Sequence, residues 1–376
     1  MKKKFCFITG SRSDFGIMSD LILKLSKSKK IKFELLVIGS HFSRTFGNTI
    51  KEVNVPERFQ SKIFLNLDNS KVENIIKFSN NLLSKLNSFL DKIIPDIIIL
   101  LGDRYEALVC SYVATLKKIP IIHFCGGDIT LGSYDNQFRN AITKMANLHF
   151  VTNELSKKRV IKMGEKKKNV FNYGHLSLDF DQKDLFTKRD LEEKFNIVFF
   201  KKNILVSFHS ETLSKNNNLI NFKILLECLS KFKNVGIFFS SPNADIDGNK
   251  ILKLIKYFVK KNRKNSFYIP SFGHKYYLSM LKYVDCIVGN SSSGILEAPS
   301  LSTPSLNLGD RQKGRLMAKS VFNSKFSKKD IYKKINYLIN KFKKKRVINP
   351  FFKKNSIKNT FNQLIRIKFP VNINKY

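Results

Sequence analysis

The chain reads Cys286-Ile-Val-Gly289-Asn-Ser-Ser-Ser-Gly294-Ile-Leu-Glu297-Ala-Pro299 near its C-terminal end. A short apolar run gives way to small hydroxyl-bearing residues, and we predict that a helix follows whose first turn carries Glu297. Backbone N–H groups and three hydroxyls would then converge on one point, where a helix N-terminus adds about half a positive charge. The segment predicts a strand, a turn and a helix that together form a cradle for a phosphate or diphosphate. A polar turn with a serine N-cap is the alternative interpretation.

Short apolar runs of this kind alternate with amphipathic stretches along the whole chain. Strands are predicted at 5–9, 33–38, 62–67, 97–101, 120–124, 148–152 and 170–173, and again at 204–208, 235–239, 267–269, 286–288 and 305–308. Helical patterns fill most of the intervals between them. This alternation predicts an α/β fold, with parallel sheets covered by helices on both faces.

Two domains are predicted because 376 residues is long for a single core. The segment from about 180 to 203 is charged and lacks strong strand signals, so the junction is placed there. We predict two doubly wound, Rossmann-like domains, 1–182 and 183–350, that face each other across a cleft lined by the carboxyl ends of their strands. A C-terminal helix within 351–376 is predicted to pack back on the first domain.

The net charge of +39 would ordinarily suggest a nucleic acid or an anionic membrane. The excess is mostly Lys, and it is spread along the chain together with abundant Asn, Ile and Phe, so we expect no specific nucleic-acid partner. No apolar stretch approaches the roughly 20 residues of a membrane span. The five cysteines are scattered and odd in number, which predicts reduced thiols in a cytoplasmic protein and no metal site.

Polar residues follow the predicted strands of the first domain. Arg12 comes after the first strand and Asp103 after the fourth. The fifth strand is followed by a double glycine and Asp128. Asp135 and Arg139 lie four residues apart on one helical face, a spacing that also occurs in pairs that only support a helix surface. Because these side chains share one edge of a parallel sheet, we expect carboxylates to line one side of the cleft.

The second domain carries a different set of polar residues. His209 ends its first strand and is a candidate acid or base, since its unperturbed pKa lies near physiological pH; a structural histidine is the alternative. Asn243 follows the next strand, and Arg311 follows the strand after the cradle. The cradle itself consists of Ser291, Ser292, Ser293, Gly294 and Glu297. A sugar nucleotide fits this division, with its diphosphate at the cradle and its sugar beside the acid and base groups.

Taken together, these motifs resemble the hydrolysing UDP-N-acetylglucosamine 2-epimerases, including the members of the sialic acid and legionaminic acid pathways. The matching pieces extend from Thr9 to Arg315 and keep their order along the chain. They are Gly10-Ser-Arg12-Ser-Asp14, Gly102-Asp103-Arg104-Tyr-Glu106-Ala107, His123 with Gly126-Gly127-Asp128, Asp135 through Lys144, Met163-Gly-Glu165, Phe208-His209, Pro242-Asn243, Gly289-Asn-Ser-Ser-Ser-Gly294 and Gly309-Asp-Arg311-Gln.

The resemblance implies a glycosyltransferase-B fold and an elimination route. A proton leaves carbon 2 of the sugar, the nucleotide leaves carbon 1, and water adds to the resulting glycal with inversion at carbon 2. It also implies a homo-oligomer, a dimer or tetramer, that needs neither metal nor cofactor. The implied catalytic residues are Asp103, Asp128, Asp135 and His209. The implied substrate contacts are Arg12, Arg139, Asn243, Ser291, Ser292, Ser293, Gly294, Glu297 and Arg311.

Two departures from the family pattern affect the assignment of the base. Hydrolysing members typically have a histidine before the double glycine and a glutamate after it, where this chain has Cys125 and Asp128. Asp128 keeps the carboxylate but is shorter by one methylene, and a thiol carries protons only if its pKa is lowered. A non-hydrolysing epimerase, a glycosyltransferase of the same fold and a catalytically silent sugar-nucleotide-binding protein therefore stay open. The sequence leaves the groups at carbons 4 and 6 of the sugar, and the choice of UDP or GDP, undetermined.

Overall fold

The computed structural model describes residues 2–43, 47–65, 67–68, 71–213 and 217–368. The chain forms two compact units. The first contains residues 1–128, 134–179 and 351–376, and the second contains 129–133 and 180–350. The main division falls between residues 179 and 180, whereas the sequence places the boundary between 182 and 183.

The first unit is built on a seven-stranded sheet in the order β3-β2-β1-β4-β5-β6-β7. Every neighbouring pair of these strands is parallel. The strands are β1 (Lys4–Thr9), β2 (Lys32–Val37), β3 (Gln60–Lys62), β4 (Ile97–Leu101), β5 (Ile121–Phe124), β6 (Leu148–Val151) and β7 (Val170–Asn172). The central strands β1 and β4 are continuous apolar runs because helices cover a parallel sheet on both faces.

The helices of this unit are α1 (Arg12–Ser26), α2 (Val72–Ile93), α3 (Tyr105–Leu116), α4 (Asp135–Met145) and α5 (Glu154–Lys162). Ser11 and Asp14 form a reciprocal capping box that starts α1 directly after β1. On α2, the buried residues Phe78, Leu82, Leu86 and Leu90 recur every four residues, so this helix packs along a single apolar stripe. Burying each of these side chains contributes about 1.5–3 kcal/mol.

The second unit has a six-stranded parallel sheet in the order β10-β9-β8-β11-β12-β13. Its strands are β8 (Lys202–Ser207), β9 (Val235–Ser240), β10 (Ser266–Ile269), β11 (Cys286–Gly289), β12 (Ser305–Leu308) and β13 (Val321–Ser324). Its helices are α6 (Lys188–Phe195), α7 (Asn218–Leu229), α8 (Gly248–Lys261), α9 (His274–Tyr283), α10 (Ser293–Leu296) and α11 (Lys328–Asn340). The predicted α/β class with two doubly wound sheets is confirmed.

The C-terminal helix, α12 (Ser356–Ile365), belongs to the first unit. The backbone N–H of Ile357 donates to the Asp179 carboxylate over 2.8 Å. The backbone N–H of His175 donates to the carbonyl of Phe351 over 2.8 Å, which fixes the returning chain. The observed helix, Ser356–Ile365, is shorter than the predicted range of 351–376. Residues 369–376 lie outside the described part of the chain.

Two strand predictions differ from the structure. The run at 62–67 is not the strand itself; β3 ends at Lys62. Ile63 still donates its backbone N–H to the carbonyl of Val37 on β2. Ile63 is buried but Phe64 is 61% exposed, so this apolar run does not bury successive side chains. The strand β13 is absent from the prediction because its side chains are mostly half-exposed and polar residues dominate its flanks.

Candidate functional site

The polar residues singled out by the sequence lie at the two topological switch points of the fold. In each sheet the strand order reverses between the first and fourth strands, β1 and β4 in the first unit and β8 and β11 in the second. Ligands of open α/β sheets bind at the carboxyl ends of such strands. Asp103 follows β4 and His209 follows β8, so each unit carries its candidate residues where its own topology favours a ligand.

Arg139 is the centre of the cluster in the first unit. It lies on α4, and only 1% of its surface is exposed. One guanidinium nitrogen, Nη2, donates to the Asp103 carboxylate, and Nη1 donates to the backbone carbonyl of Asp128 over 2.8 Å. Burial alone lowers the pKa of Arg139, but the carboxylates of Asp103, Asp128 and Asp135 outweigh it and hold that pKa above its ordinary value.

These four residues, Asp103, Asp128, Asp135 and Arg139, are called the Arg139 cluster below. The structure brings all four together, as the sequence predicts. Asp135 and Arg139 are therefore not a surface pair. A buried guanidinium holds these carboxylates close together at one end of the sheet, where they can act on one bound substrate.

The Asp128 carboxylate is held from the start of α5. Its Oδ1 accepts hydrogen bonds from the hydroxyls of Thr152 and Ser156, over 3.0 and 2.6 Å, and from the Asn153 amide over 3.3 Å. Only 4% of Asp128 is exposed, whereas 26% of the Asp103 side chain is exposed. The Asp128 carboxylate is thus buried inside the first unit, and Asp103 is more accessible to a ligand.

Cys125 has a left-handed backbone, with φ of 64°, directly after β5. Its side chain packs against the core of the first unit and lines a small cavity together with Thr152, His175 and Thr360. That cavity, about 10 Å³, has room for about one water molecule. The thiol therefore lies on the core side of the sheet end. Cysteine suits these apolar surroundings because its side chain is small and only weakly polar.

Arg12 is the first residue of α1, after β1. The preceding backbone N–H groups, of Gly10 and Ser11, both donate to the Asp14 carboxylate over 2.9 Å. These two donors are committed within the loop.

His209 is held rigidly in the second unit. Its backbone N–H and carbonyl pair with the side-chain amide of Asn290, each over 2.8 Å, in the manner of a short strand pair. The backbone N–H of Asn243 donates to the Nδ1 of His209 over 3.0 Å. Because a backbone N–H can only donate, Nδ1 is an acceptor, and the neutral ring carries its proton on Nε2.

The phosphate cradle differs from its prediction in one respect. The helix α10 spans only Ser293–Leu296, so Glu297 is its C-terminal cap and not part of its first turn. The chain continues as a 3-10 helix over Ala298–Leu301. Pro299 has no N–H to donate to the residue four positions earlier, so the α-helical hydrogen bonding ends there. The cradle therefore relies on local N–H groups and hydroxyls more than on a helix dipole.

The hydroxyls of the cradle are connected to one another. Ser293 Oγ donates to Ser291 Oγ over 3.0 Å and also contacts the hydroxyl of Tyr277 over 2.6 Å. Gly289 has φ of 141°, and a Cβ there would lie 1.9 Å from the carbonyl oxygen of Ser207. Only glycine permits this close approach of β8 and β11, which sets the cradle beside His209.

Arg311 faces the same point from the loop after β12. Its Nη1 donates to the carbonyl of Asn290 over 3.2 Å, and Gln312 donates to that carbonyl over 3.0 Å. Arg311 Nε is buried and has no hydrogen-bond partner within the described residues. A buried guanidinium nitrogen without a partner is the condition that a bound anion relieves.

Glu211 holds the loop that carries Arg311. Its Oε1 accepts the backbone N–H groups of Asp310 and Arg311 over 3.1 and 3.2 Å. Burial raises the pKa of Glu211, and the two backbone N–H groups oppose this rise by favouring the charged form. Glu211 and Asn290 were not among the predicted site residues. Their signal in the sequence is limited to adjacency, since each lies next to a predicted residue or motif.

The described part of the chain comprises residues 2–43, 47–65, 67–68, 71–213 and 217–368. Within these ranges no group of three or more His, Cys, Asp or Glu side chains is arranged to hold a metal ion. No helix in the same ranges is both long and apolar enough to span a bilayer.

The two parallel sheets and the polar residues at their switch points define an α/β protein of the glycosyltransferase-B type. Residues 23–365 match the family described as UDP-N-acetylglucosamine 2-epimerase. The chain belongs to this family of sugar-nucleotide 2-epimerases, and the resemblance stated from the motifs is confirmed.

Curated relatives extend over nearly the whole chain. One is the GDP/UDP-N,N'-diacetylbacillosamine 2-epimerase (hydrolyzing) of Campylobacter jejuni, which is 34% identical and matches 88% of this chain and 86% of its own length. Another is the polysialic acid biosynthesis protein P7 of Escherichia coli, 36% identical over 95% of this chain and 92% of its own length.

Solved structures agree on the fold. The UDP-GlcNAc 2-epimerase of Methanocaldococcus jannaschii, in complex with UDP-GlcNAc and UDP, aligns with a TM-score of 0.79 at 21% identity, over 96% of this chain and 99% of its own. The UDP-GlcNAc 2-epimerase of Neisseria meningitidis, bound to UDP-GlcNAc, also gives 0.79, at 19% identity over 97% and 100%. At these identities the likeness concerns the fold alone.

Proposed function

We propose that this protein is a hydrolysing sugar-nucleotide 2-epimerase. It converts a UDP- or GDP-linked 2-acetamido sugar, either UDP-N-acetylglucosamine or a 2,4-diacetamido-trideoxy relative, to the free 2-epimeric sugar and a nucleoside diphosphate. The observation that carries the proposal is the Arg139 cluster, which holds three carboxylates at the end of one sheet. Support for hydrolysis comes from relatives named as hydrolysing enzymes in Campylobacter jejuni and Legionella pneumophila.

The first half of the proposed reaction is an elimination. A carboxylate of the Arg139 cluster removes the proton from carbon 2, and the released electron pair forms the double bond between carbons 1 and 2. The bond from carbon 1 to the phosphate oxygen breaks, and its electrons leave with the nucleoside diphosphate. We assign the exchange of protons to Asp103 and Asp135, because Asp128 is committed to Thr152, Asn153 and Ser156.

The second half adds water to the glycal. Hydroxide is delivered to carbon 1, and a proton is delivered to carbon 2 on the face opposite to the one it left, which inverts that centre. We assign Asp128 to holding Arg139 through its backbone carbonyl and to supporting the charge of the cluster. Arg139 holds Asp103 and Asp135 beside each other, so that one can accept the proton of carbon 2 and the other can return one.

The second unit is assigned to the nucleotide. Ser291, Ser292, Ser293 and Gly294 supply hydroxyl and backbone donors for the diphosphate, with Arg311 as the charged contact. His209 donates its Nε2 proton to an oxygen of the departing diphosphate, where negative charge develops during elimination. Asn243 fixes the tautomer that makes this donation possible. Arg12 and Glu297 complete the proposed substrate contacts.

The experiment that tests this proposal is a panel of UDP- and GDP-linked 2-acetamido sugars, followed by mass spectrometry of the products. We expect free sugar and free nucleotide in equal amounts, with no loss of activity in EDTA. In deuterated water the released sugar should carry one deuteron at carbon 2. A nucleotide-linked epimer as the product indicates a non-hydrolysing enzyme, a requirement for an acceptor indicates a glycosyltransferase, and binding without turnover indicates a silent protein. Product without deuterium at carbon 2 rules out the elimination.

The biological setting is proposed from the same relatives. A free manno-configured 2-acetamido sugar is a precursor of nonulosonic acids such as sialic or legionaminic acid, and one relative is named for polysialic acid biosynthesis. We propose that the protein acts in the cytoplasm on soluble sugar nucleotides, as a homodimer or homotetramer. Size-exclusion chromatography with light scattering tests the oligomeric state directly.

Replacing Arg311 or Ser292 by alanine is expected to weaken UDP binding by about 1–3 kcal/mol each, the range for a charge-assisted hydrogen bond. Isothermal titration of UDP measures the effect. Lys313→Ala is the matched control, because Lys313 lies two residues from Arg311 and 64% of its side chain is exposed. UDP affinity that is the same in Arg311→Ala and Lys313→Ala removes Arg311 from the nucleotide site.

A further inference from the structure

His123 is a buried histidine that the proposed reaction does not use. It lies on β5, its exposed fraction is 0%, and it belongs to the motif that precedes the double glycine. The side chain connects two segments that carry residues of the Arg139 cluster. Its Nε2 lies 2.7 Å from the carbonyl oxygen of Gly102, and its Nδ1 lies 3.2 Å from the hydroxyl of Thr143.

Each of these contacts leads directly to a residue of the cluster. Gly102 precedes Asp103 and has φ of 85°, so its peptide orientation sets the direction in which the Asp103 side chain leaves the strand end. Thr143 lies one helical turn after Arg139 on α4, and its hydroxyl oxygen lies 2.9 Å from the Arg139 carbonyl as well as within hydrogen-bond distance of Nδ1. Its single proton serves one of these two acceptors at a time. The imidazole therefore spans the gap between the Asp103 peptide and the helix that carries Arg139 and Asp135.

The chemistry of the two contacts fixes the ring. A carbonyl oxygen can only accept, so Nε2 carries the proton and the ring cannot exchange it without breaking this bond. Burial, as the main cause, lowers the pKa of His123 to about 3, against the opposing effect of the Gly102 carbonyl. The ring is thus neutral throughout the neutral pH range, which makes it a rigid spacer and not a proton carrier.

The imidazole of His123 is tightly packed. A Cβ at Gly126 would lie 2.9 Å from the Thr143 hydroxyl and 3.1 Å from Nδ1 of His123. The first glycine of the double glycine is therefore the residue type that allows this histidine and threonine to meet. Close packing of this kind transmits small displacements instead of absorbing them.

We propose that His123 is a positioning residue, which fixes the Asp103 carboxylate relative to Arg139 through the Gly102 carbonyl and Thr143. The proposal rests on the proposed function, because it assigns His123 to the geometry of the same carboxylates. It predicts a defect in turnover and not in nucleotide binding, since the Gly102 and Thr143 contacts of His123 both lie in the first unit, whereas the cradle belongs to the second.

The test compares His123→Phe with His123→Gln. Phenylalanine keeps the ring and removes both nitrogens, whereas glutamine keeps an amide donor near the position of Nε2. A misplacement on the scale of 1 Å costs about 10²-fold in rate, so we expect kcat of His123→Phe to fall about 10–10²-fold. KM and UDP affinity should not change, and His123→Gln should recover a large part of kcat.

His149→Phe is the matched control. His149 pairs in register with His123 on the adjacent strand and is equally buried, but its Nε2 binds Glu165 instead of the Arg139 cluster. Activities are normalised to the folded fraction from circular dichroism. A kcat for His123→Phe that equals wild type, or that falls no further than in His149→Phe, overturns the proposal.

Thr143→Val supplies a second variant if His123→Phe does not fold, because valine keeps the shape of threonine and removes only the hydroxyl. It is expected to lower kcat by breaking the Nδ1 contact, and wild-type kcat in Thr143→Val then overturns the proposal. Wild-type protein is assayed in parallel on the same sugar-nucleotide panel. Absence of wild-type turnover contradicts the proposed function itself, while active wild type with unaffected variants contradicts only the role of His123.

Discussion

Replacing Asp103 by asparagine is expected to lower kcat about 10²–10⁴-fold, the usual contribution of a general acid or base. Asparagine keeps the size of the side chain and an acceptor for Arg139, but it cannot take the proton from carbon 2. UDP affinity should not change, since the proposed nucleotide contacts lie in the second unit. Initial rates of nucleotide release measure kcat, and calorimetry measures UDP binding.

Asp96→Asn is the control for this variant. Asp96 directly precedes β4 and Asp103 follows it, so the two carboxylates flank the same strand at opposite ends. The Asp96 carboxylate accepts the backbone N–H of Lys4 over 2.7 Å and is remote from the switch-point edge. Asp96→Asn should keep the wild-type kcat. If Asp103→Asn turns over as fast as Asp96→Asn, Asp103 is not the base.

The fold was predictable where burial alone decides the pattern. The runs at 97–101 and 204–208 are continuous apolar segments, and the structure turns them into β4 and β8 with bounds that differ by at most two residues. A central strand of a parallel sheet is covered on both faces, so its signal does not depend on which face is outward. The edge strand β13 lacks this signal because its side chains are mostly half-exposed.

The burial of Arg139 was not predictable from local sequence. Asp135 and Arg139 have a spacing that usually occurs on helix surfaces, and the sequence offered the cleft as the only reason to expect otherwise. What buries the guanidinium is Asp103, a residue 36 positions away. A pairing across that separation depends on the tertiary structure, which brings α4 to the loop that follows β4.

The structure also clarifies the two departures from the family pattern, which are at Cys125 and Asp128. From the sequence alone, both the thiol of Cys125 and the shorter carboxylate of Asp128 are candidate proton carriers. The structure places the thiol against the core and gives Asp128 three side-chain donors on one oxygen. Donor geometry of this kind depends on where α5 begins, and the sequence signals for helix starts do not resolve individual contacts. The assignment of the base thereby moves toward Asp103 and Asp135.

Replacing His209 by alanine is expected to lower kcat about 10²–10³-fold, the cost of removing one donor to a developing negative charge. Replacing it by glutamine should recover most of this loss, because the glutamine amide places an N–H near the position of Nε2. The two variants are compared by initial rates of nucleotide release on the same substrate. Nitrogen NMR of the labelled imidazole reports independently which ring nitrogen carries the proton.

The comparison separates two roles that the position of His209 alone leaves open. A base must accept a proton at the nitrogen that faces the substrate, whereas Nδ1 of His209 is occupied by the Asn243 N–H and the remaining nitrogen is protonated in the neutral ring. Donation is therefore the role that keeps every hydrogen bond of the described network. Glutamine that is as damaging as alanine, together with a proton on Nδ1 in the NMR spectrum, would falsify the donor role and return His209 to the candidates for the base.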